Sequence, residues 1–158
     1  MTIAVVPGSF DPITAGHIDI IKRAKDLYER VIVGVVINPG KKPLFSLEER
    51  VEMVKDAVSW DPTIAVDSFT GLLVDFVKLH NAKVIVRGLR AVSDFEHEFQ
   101  MAQLNRRLNS EIETVFMMAS PEYAYLSSSI IKEIAMYDGS VKGLVSPNVE
   151  ESLRRALA

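Results

Sequence analysis

His17 is the residue whose type and setting point most directly to chemistry. It closes the stretch Pro7-Gly8-Ser9-Phe10-Asp11-Pro12-Ile13-Thr14-Ala15-Gly16-His17. An apolar run stops at Pro7-Gly8, a turn signal, and a helical pattern opens at His17 and Ile18. A strand thus feeds a glycine-bearing loop, and the loop feeds a helix N-terminus. Such a junction binds anions through backbone N–H groups and the helix dipole. Gly8 and Gly16, without a Cβ, would let the backbone approach a ligand closely. Periodicity allows a second reading. His17, Ile21, Ala24 and Tyr28 share one helical face, and a lone histidine on such a face is often a core residue.

Further candidates stand after other apolar runs. Lys41 and Lys42 follow Asn38-Pro39-Gly40, Arg87 and Arg90 bracket Gly88-Leu89, and Tyr123 and Tyr125 precede Ser127-Ser128-Ser129. Each alone has a structural explanation. The lysines could be a solvated pair, and the arginines could pair with Asp94 or Glu98. The serines could only cap a helix, and the tyrosines could be core aromatics. Converging on one edge, they describe a site for several phosphates. Neither Gly-x-Gly-x-x-Gly nor Gly-x-x-x-x-Gly-Lys-Ser/Thr is present, which argues against a dinucleotide-dependent oxidoreductase and a P-loop kinase. No His-x-x-x-His or acidic cluster suggests a protein metal cage, so any Mg²⁺ would ride on nucleotide phosphates.

The elements that must position these groups alternate. Strands are expected at residues 2–6, 31–37, 63–67, 84–86 and 114–118. Helices are expected at 16–28, from the Ser46-Leu47-Glu48-Glu49 capping box to about 59, at 71–80, from a Ser93-Asp94-Phe95-Glu96 cap to about 108, from Ser127 to about 138, and from Ser146-Pro147 onward. Ile20, Ile21, Ala24 and Leu27 should face inward on the first helix, and Leu72, Leu73, Phe76 and Val77 on the third. The alternation predicts an α/β fold: a Rossmann-like, doubly wound, five-stranded parallel sheet with helices on both faces. Ligands in such sheets bind beyond the carboxyl ends of the strands, here the loops after strands one, two, four and five.

The 158 residues predict one domain, 1–158, and an apolar fraction of 48% supplies its core. A net charge of −3 gives no global basic field to recruit nucleic acid. There is no cysteine, which fits a cytoplasmic protein and removes thiolate chemistry. The start of the chain lacks a signal-peptide pattern, and no apolar run approaches a membrane span.

Gly8-Ser9-Phe10-Asp11-Pro12 with Thr14-Ala15-Gly16-His17 resembles the signature of the nucleotidyltransferase superfamily that carries a (His or Thr)-x-Gly-His motif. Lys41-Lys42-Pro43-Leu44-Phe45, Glu48-Glu49-Arg50, Arg87-Gly88-Leu89-Arg90-Ala91-Val92-Ser93-Asp94-Phe95-Glu96 and Ser127-Ser128-Ser129-Ile130-Ile131-Lys132-Glu133 narrow the likeness. Along nearly its whole length the chain resembles the bacterial phosphopantetheine adenylyltransferases. The resemblance implies transfer of the adenylyl group of ATP to 4′-phosphopantetheine, giving dephospho-coenzyme A and pyrophosphate, with Mg²⁺. It implies ATP binding by Ser9, Phe10, His17, Gly88, Leu89, Arg90, Glu98, Tyr123, Ala124, Tyr125, Leu126, Ser127, Ser128 and Ser129. It assigns phosphopantetheine to Ser9, Lys41, Leu73 and Arg87, with His17, Lys41 and Arg90 as the catalytic groups. It also implies a homohexamer and coenzyme A as a feedback ligand. Arg87 is expected to grip the acceptor phosphate in a bidentate way. Ala124 stands where relatives commonly have serine, and His97 where many have tyrosine. Another adenylyl- or cytidylyltransferase of the superfamily would share the first motif. A non-catalytic nucleotide sensor would not need His17.

Overall fold

The computed structural model describes residues 1–158 apart from Val92 and Asp94. The predicted Asp94 cap and the Asp94 ion pairs lie outside the described residues. The elements run β1 Ile3–Gly8, α1 Ala15–Leu27, β2 Arg30–Val36, α2 Leu47–Ala57, β3 Ile64–Phe69 and α3 Leu73–Leu79, then β4 Val84–Leu89, α4 Phe95–Leu108, β5 Glu113–Met118, α5 Ser128–Met136 and α6 Pro147–Leu157. The strands form one parallel sheet, as the alternation predicts, and their order is β3-β2-β1-β4-β5.

The ladders are unequal, and this opens the site. β1 pairs with β2 from Ile3 to Gly8 but with β4 only at Ala4 and Val5. Beyond Val5 the two central strands part, at the point where the strand order reverses. Pro7 is in register with Gly34 of β2 but has no ladder partner on the β4 side, towards which its carbonyl points to meet Arg87. Its missing N–H therefore costs no ladder bond. β1 and β4 also run further than expected, so Gly8, Gly88 and Leu89 are strand residues rather than loop.

Successive side chains of a strand point to opposite faces, and β2 shows it. Val31, Val33 and Val35 enter a core with Ile20, Ile21, Val54 and Ile131, while Ile32 enters a second core with Val5, Val74, Phe76 and Ile85. Two expectations fail at helix ends. Leu27 is 68% exposed because α1 stops there, with Tyr28 already extended. Leu72 is 52% exposed because Gly71, at φ +88°, delays α3 to Leu73; Phe76 and Val77 face inward as expected, Val74 joins them, and Leu73 is half-buried.

Gly34 lies on β2 under the stacked rings of Phe69 and Phe76, whose centroids are 4.4 Å apart. A Cβ at Gly34 would come within 2.7 Å of Phe76 Cε1. Gly34→Ala is therefore expected to cost about 1–3 kcal/mol by overpacking. Thermal denaturation should register about 2–4 °C for each kcal/mol, and an unchanged midpoint would mean the rings move aside freely.

Candidate active site

The first loop is shaped by its own side chains. Phe10 takes a left-handed backbone (φ 49°) and turns its ring into the core, where it is 2% exposed. A Cβ on Gly8 would stand 3.0 Å from that ring. Gly8 thus makes room for Phe10 in this structure, where the sequence suggested room for a ligand. A Cβ on Gly16 would meet only ordinary contacts.

Thr14 caps α1, and His17 occupies the position that glutamate or glutamine takes in an ordinary capping box. The Thr14 N–H donates to His17 Nδ1 at 3.0 Å, and the His17 N–H donates to the Thr14 hydroxyl at 3.3 Å. Because a backbone N–H can only donate, Nδ1 must be the acceptor and the ring proton sits on Nε2. The imidazole packs edge-on to Phe10 at 4.9 Å. Burial lowers its pKa to about 4, and the positive charges of Arg90 and then Arg87 add to the effect. His17 is therefore neutral near pH 7. It is half-buried and lines the main cavity, so the core alternative does not hold.

Across the gap between β1 and β4, Arg87 Nη1 donates to the Pro7 carbonyl at 3.3 Å. Its Nε and Nη2 clasp both oxygens of Glu98 on α4, at 3.1 and 2.7 Å. The structural alternative for this pair is thus realised. The fork expected to grip a phosphate is held by Glu98, leaving the Nη1 edge. Arg90 Nη1 donates to the Leu126 carbonyl at 2.9 Å, tying β4 to the approach of α5. Burial and the neighbouring Arg87 push the Arg90 pKa below its ordinary value, partly offset by Glu98.

At α5, Ser127 is a plain N-cap, its hydroxyl accepting from the Ile130 N–H. Ser128 donates to the Pro12 carbonyl at 2.8 Å, joining the helix to the first loop. These groups surround a cavity of about 930 Å³. Ser9, Phe10, Lys41, Leu73, Gly88, Tyr123, Leu126 and the three serines also line it. Leu89, Ala124 and Tyr125 do not. Tyr125 is 74% exposed, and the Ala124 carbonyl accepts from Ala91 N–H. Tyr123 packs against the core and also lines the cavity.

The Cytidylyltransferase-like family profile matches residues 5–134. A phosphopantetheine adenylyltransferase of Clostridium tetani is 57% identical over 153 residues, covering 97% of this chain and 96% of the relative. Enzymes of the same name from Carboxydothermus hydrogenoformans (56%, covering 98% and 95%) and Heliobacterium modesticaldum (59%, covering 94% and 89%) also match. The chain belongs to the phosphopantetheine adenylyltransferase family.

Three cavity residues of this family member escaped assignment in the sequence. Asp11 is 6% exposed; its carboxylate accepts from the N–H groups of Leu44 and Phe45, both at 2.9 Å, and from Lys132 Nζ at 3.1 Å. Lys132 is thus the second. Arg50, 4% exposed, is the third. Arg50 had a signal, a charge in register with Met53 and Val54 on the buried face of α2. Asp11 had none, since its partners lie 33 or more residues away. The carboxylates on the cavity wall, Asp11 and Glu98, are both engaged by cations, and no cluster of acidic or histidine side chains among the described residues could hold a metal ion.

Proposed function

We propose that this chain transfers the adenylyl group of ATP to 4′-phosphopantetheine, forming dephospho-coenzyme A and pyrophosphate. What carries the reading is the convergence of a neutral His17 with Arg87 and Arg90 on the β1/β4 gap, in a chain 57% identical to an enzyme of that name along almost its whole length. An acceptor phosphate oxygen attacks the α-phosphorus of ATP, and the bond to the bridging oxygen of pyrophosphate breaks. The acceptor is an anion near pH 7, so the step needs alignment and charge stabilisation more than a strong base. In this reading His17 donates Nε2–H to charge developing at the α-phosphate. Arg90 and the α5 N-terminus, with Ser127, Ser128 and Ser129, neutralise the ATP phosphates. Ser9, Lys41 and the second N–H of Arg87 Nη1, beside the one given to Pro7, hold the acceptor phosphate, with Leu73 against the pantetheine arm.

Mg²⁺ belongs to this proposal. With Asp11 and Glu98 occupied by Lys132 and Arg87, the donor set suits an ion carried by ATP phosphate oxygens, where it would neutralise charge on the leaving pyrophosphate. Coenzyme A, which contains both halves of the product, would compete for the same cavity. Cytoplasmic residence is part of the same proposal and accords with the lack of cysteine. No described helix is long and apolar enough to cross a membrane. α4 supports a homohexamer: it has no buried residue and exposes Phe95, Phe99, Leu104 and Leu108. Light scattering should then return six times 17.6 kDa.

Pyrophosphate release from ATP and Mg²⁺ should require 4′-phosphopantetheine and fail with CTP; release without acceptor or with CTP alone would refute the assignment. Arg87 and Lys41 should choose the acceptor. Arg87→Ala and Lys41→Ala are each expected to weaken phosphopantetheine binding by about 1.5–3 kcal/mol, the worth of a charge-assisted hydrogen bond. Arg87→Ala should be the more damaging, because it also leaves the Glu98 carboxylate uncompensated beside an incoming anion. Calorimetric titration of ATP without acceptor should change little. If ATP weakens as much as phosphopantetheine, the division of the cavity is wrong.

A further inference from the structure

Arg50 is a buried cation without a counter-ion. It sits in the first turn of α2 and lines the cavity wall. Its Nη1 donates to two carbonyls, Ser9 at 2.9 Å and Val36 at 3.1 Å. Ser9 follows β1 and Val36 ends β2, so one nitrogen fastens the carboxyl ends of two neighbouring strands. Its Nε is shut off from solvent and has no partner, and no ion pair among the described residues includes it.

Burying a charge without an opposite charge is costly, and a neutral amide side chain could donate to the same two carbonyls without that cost. The cost makes sense where an anion arrives. Arg50 stands on the β1/β2 side of the cavity, under Ser9 and beside the stem of the loop that carries Lys41. Arg90, suited to ATP, leaves the end of β4 on the other side of β1.

We propose that Arg50 is a positioning residue for the acceptor phosphate: it fixes Ser9 and the root of the Lys41 loop at one spacing, and the arriving phosphate balances its uncompensated charge. This rests on the acceptor being 4′-phosphopantetheine. A mere brace would affect phosphorylated and unphosphorylated acceptors alike. A charge held for the phosphate affects the preference between them.

The test titrates 4′-phosphopantetheine and pantetheine into the wild-type protein, Arg50→Lys and Arg50→Met. The wild type should prefer the phosphorylated form. Arg50→Met should reduce that preference roughly tenfold or more, the loss expected for an interaction with a charged group, and Arg50→Lys should retain most of it. Should the methionine variant not fold, the wild-type protein labelled with ¹⁵N-arginine gives the answer. The Arg50 Nε–H resonance should shift on adding phosphopantetheine and stay in place with pantetheine. Equal weakening of both ligands in Arg50→Met, or an Nε–H signal indifferent to the phosphate, overturns the role of Arg50 while wild-type turnover stands. A wild-type protein that binds neither ligand overturns the acceptor assignment and this proposal with it.

Discussion

His17→Ala is expected to lower turnover by about 10²–10³-fold, the usual loss when one preorganised donor to a developing oxyanion is removed, while ATP affinity measured without acceptor should change little. The capping box explains how the donor is preorganised. Thr14 N–H occupies Nδ1, so the ring cannot flip tautomer without losing that bond, and Nε2 carries the proton. The low pKa, about 4, keeps the ring neutral throughout the working range. The pH–rate profile should therefore show no inflection near 6.5 from this residue. Stability carries the opposite signature. The folded pKa lies below the unfolded value of 6.5, so folding favours the neutral ring. Its contribution is complete above pH 6.5 and is lost as pH falls toward 4, where the unfolded chain binds the proton first. His17→Ala should also lose a capping contact, about 0.5–2 kcal/mol of stability. A folded alanine variant that turns over at nearly the wild-type rate would leave His17 as a cap alone.

The alternation of strands and helices was readable because each apolar run is short, bounded by turn residues and separated from the next by a helical pattern. His17 stood out in the sequence through its motif, whereas its share in the Thr14 capping box came only with the structure. Helix phase was less readable. Gly71 moves the start of α3 by two residues and leaves Leu72 outside the helix, while Phe76 and Val77 stay inward. The exposed face of α4 shows another limit, since the spacing of Phe95, Phe99 and Leu108 is the same whether a face meets its own sheet or another subunit. Arg87 with Glu98 was one of two open pairings, and only coordinates could select it. The least readable feature was Asp11. Its neighbours in sequence say turn, whereas its contacts, to residues 33, 34 and 121 positions away, depend on the finished fold.

Those contacts make Asp11 the residue whose loss should cost most stability. Its carboxylate gathers three parts of the cavity: the first loop, the end of the loop that carries Lys41 and Lys42, and Lys132 on α5. Asp11→Ala leaves two N–H groups at Leu44 and Phe45 without their acceptor and strips Lys132 of its counter-ion. Breaking a buried charged pair from one side costs about 3–5 kcal/mol, so the midpoint of thermal unfolding should fall by about 2–4 °C for each kcal/mol. Asp11→Asn should lie between, because one amide oxygen can still accept while the NH₂ faces the other N–H. Lys132→Met should cost less than either, since Lys132 is 30% exposed and the two backbone bonds survive its removal. The effect reaches function through the loop. Residues 37–43 are exposed, so the Asp11 bonds at Leu44 and Phe45 anchor one end of the segment bearing Lys41. The KM for phosphopantetheine should therefore rise more than the KM for ATP in Asp11→Asn. Combining Asp11→Asn with Lys132→Met should cost less than the sum of the two changes, as expected for residues in contact. Strict additivity, or an Asp11→Ala variant that melts with the wild type, would mean the carboxylate holds nothing that matters.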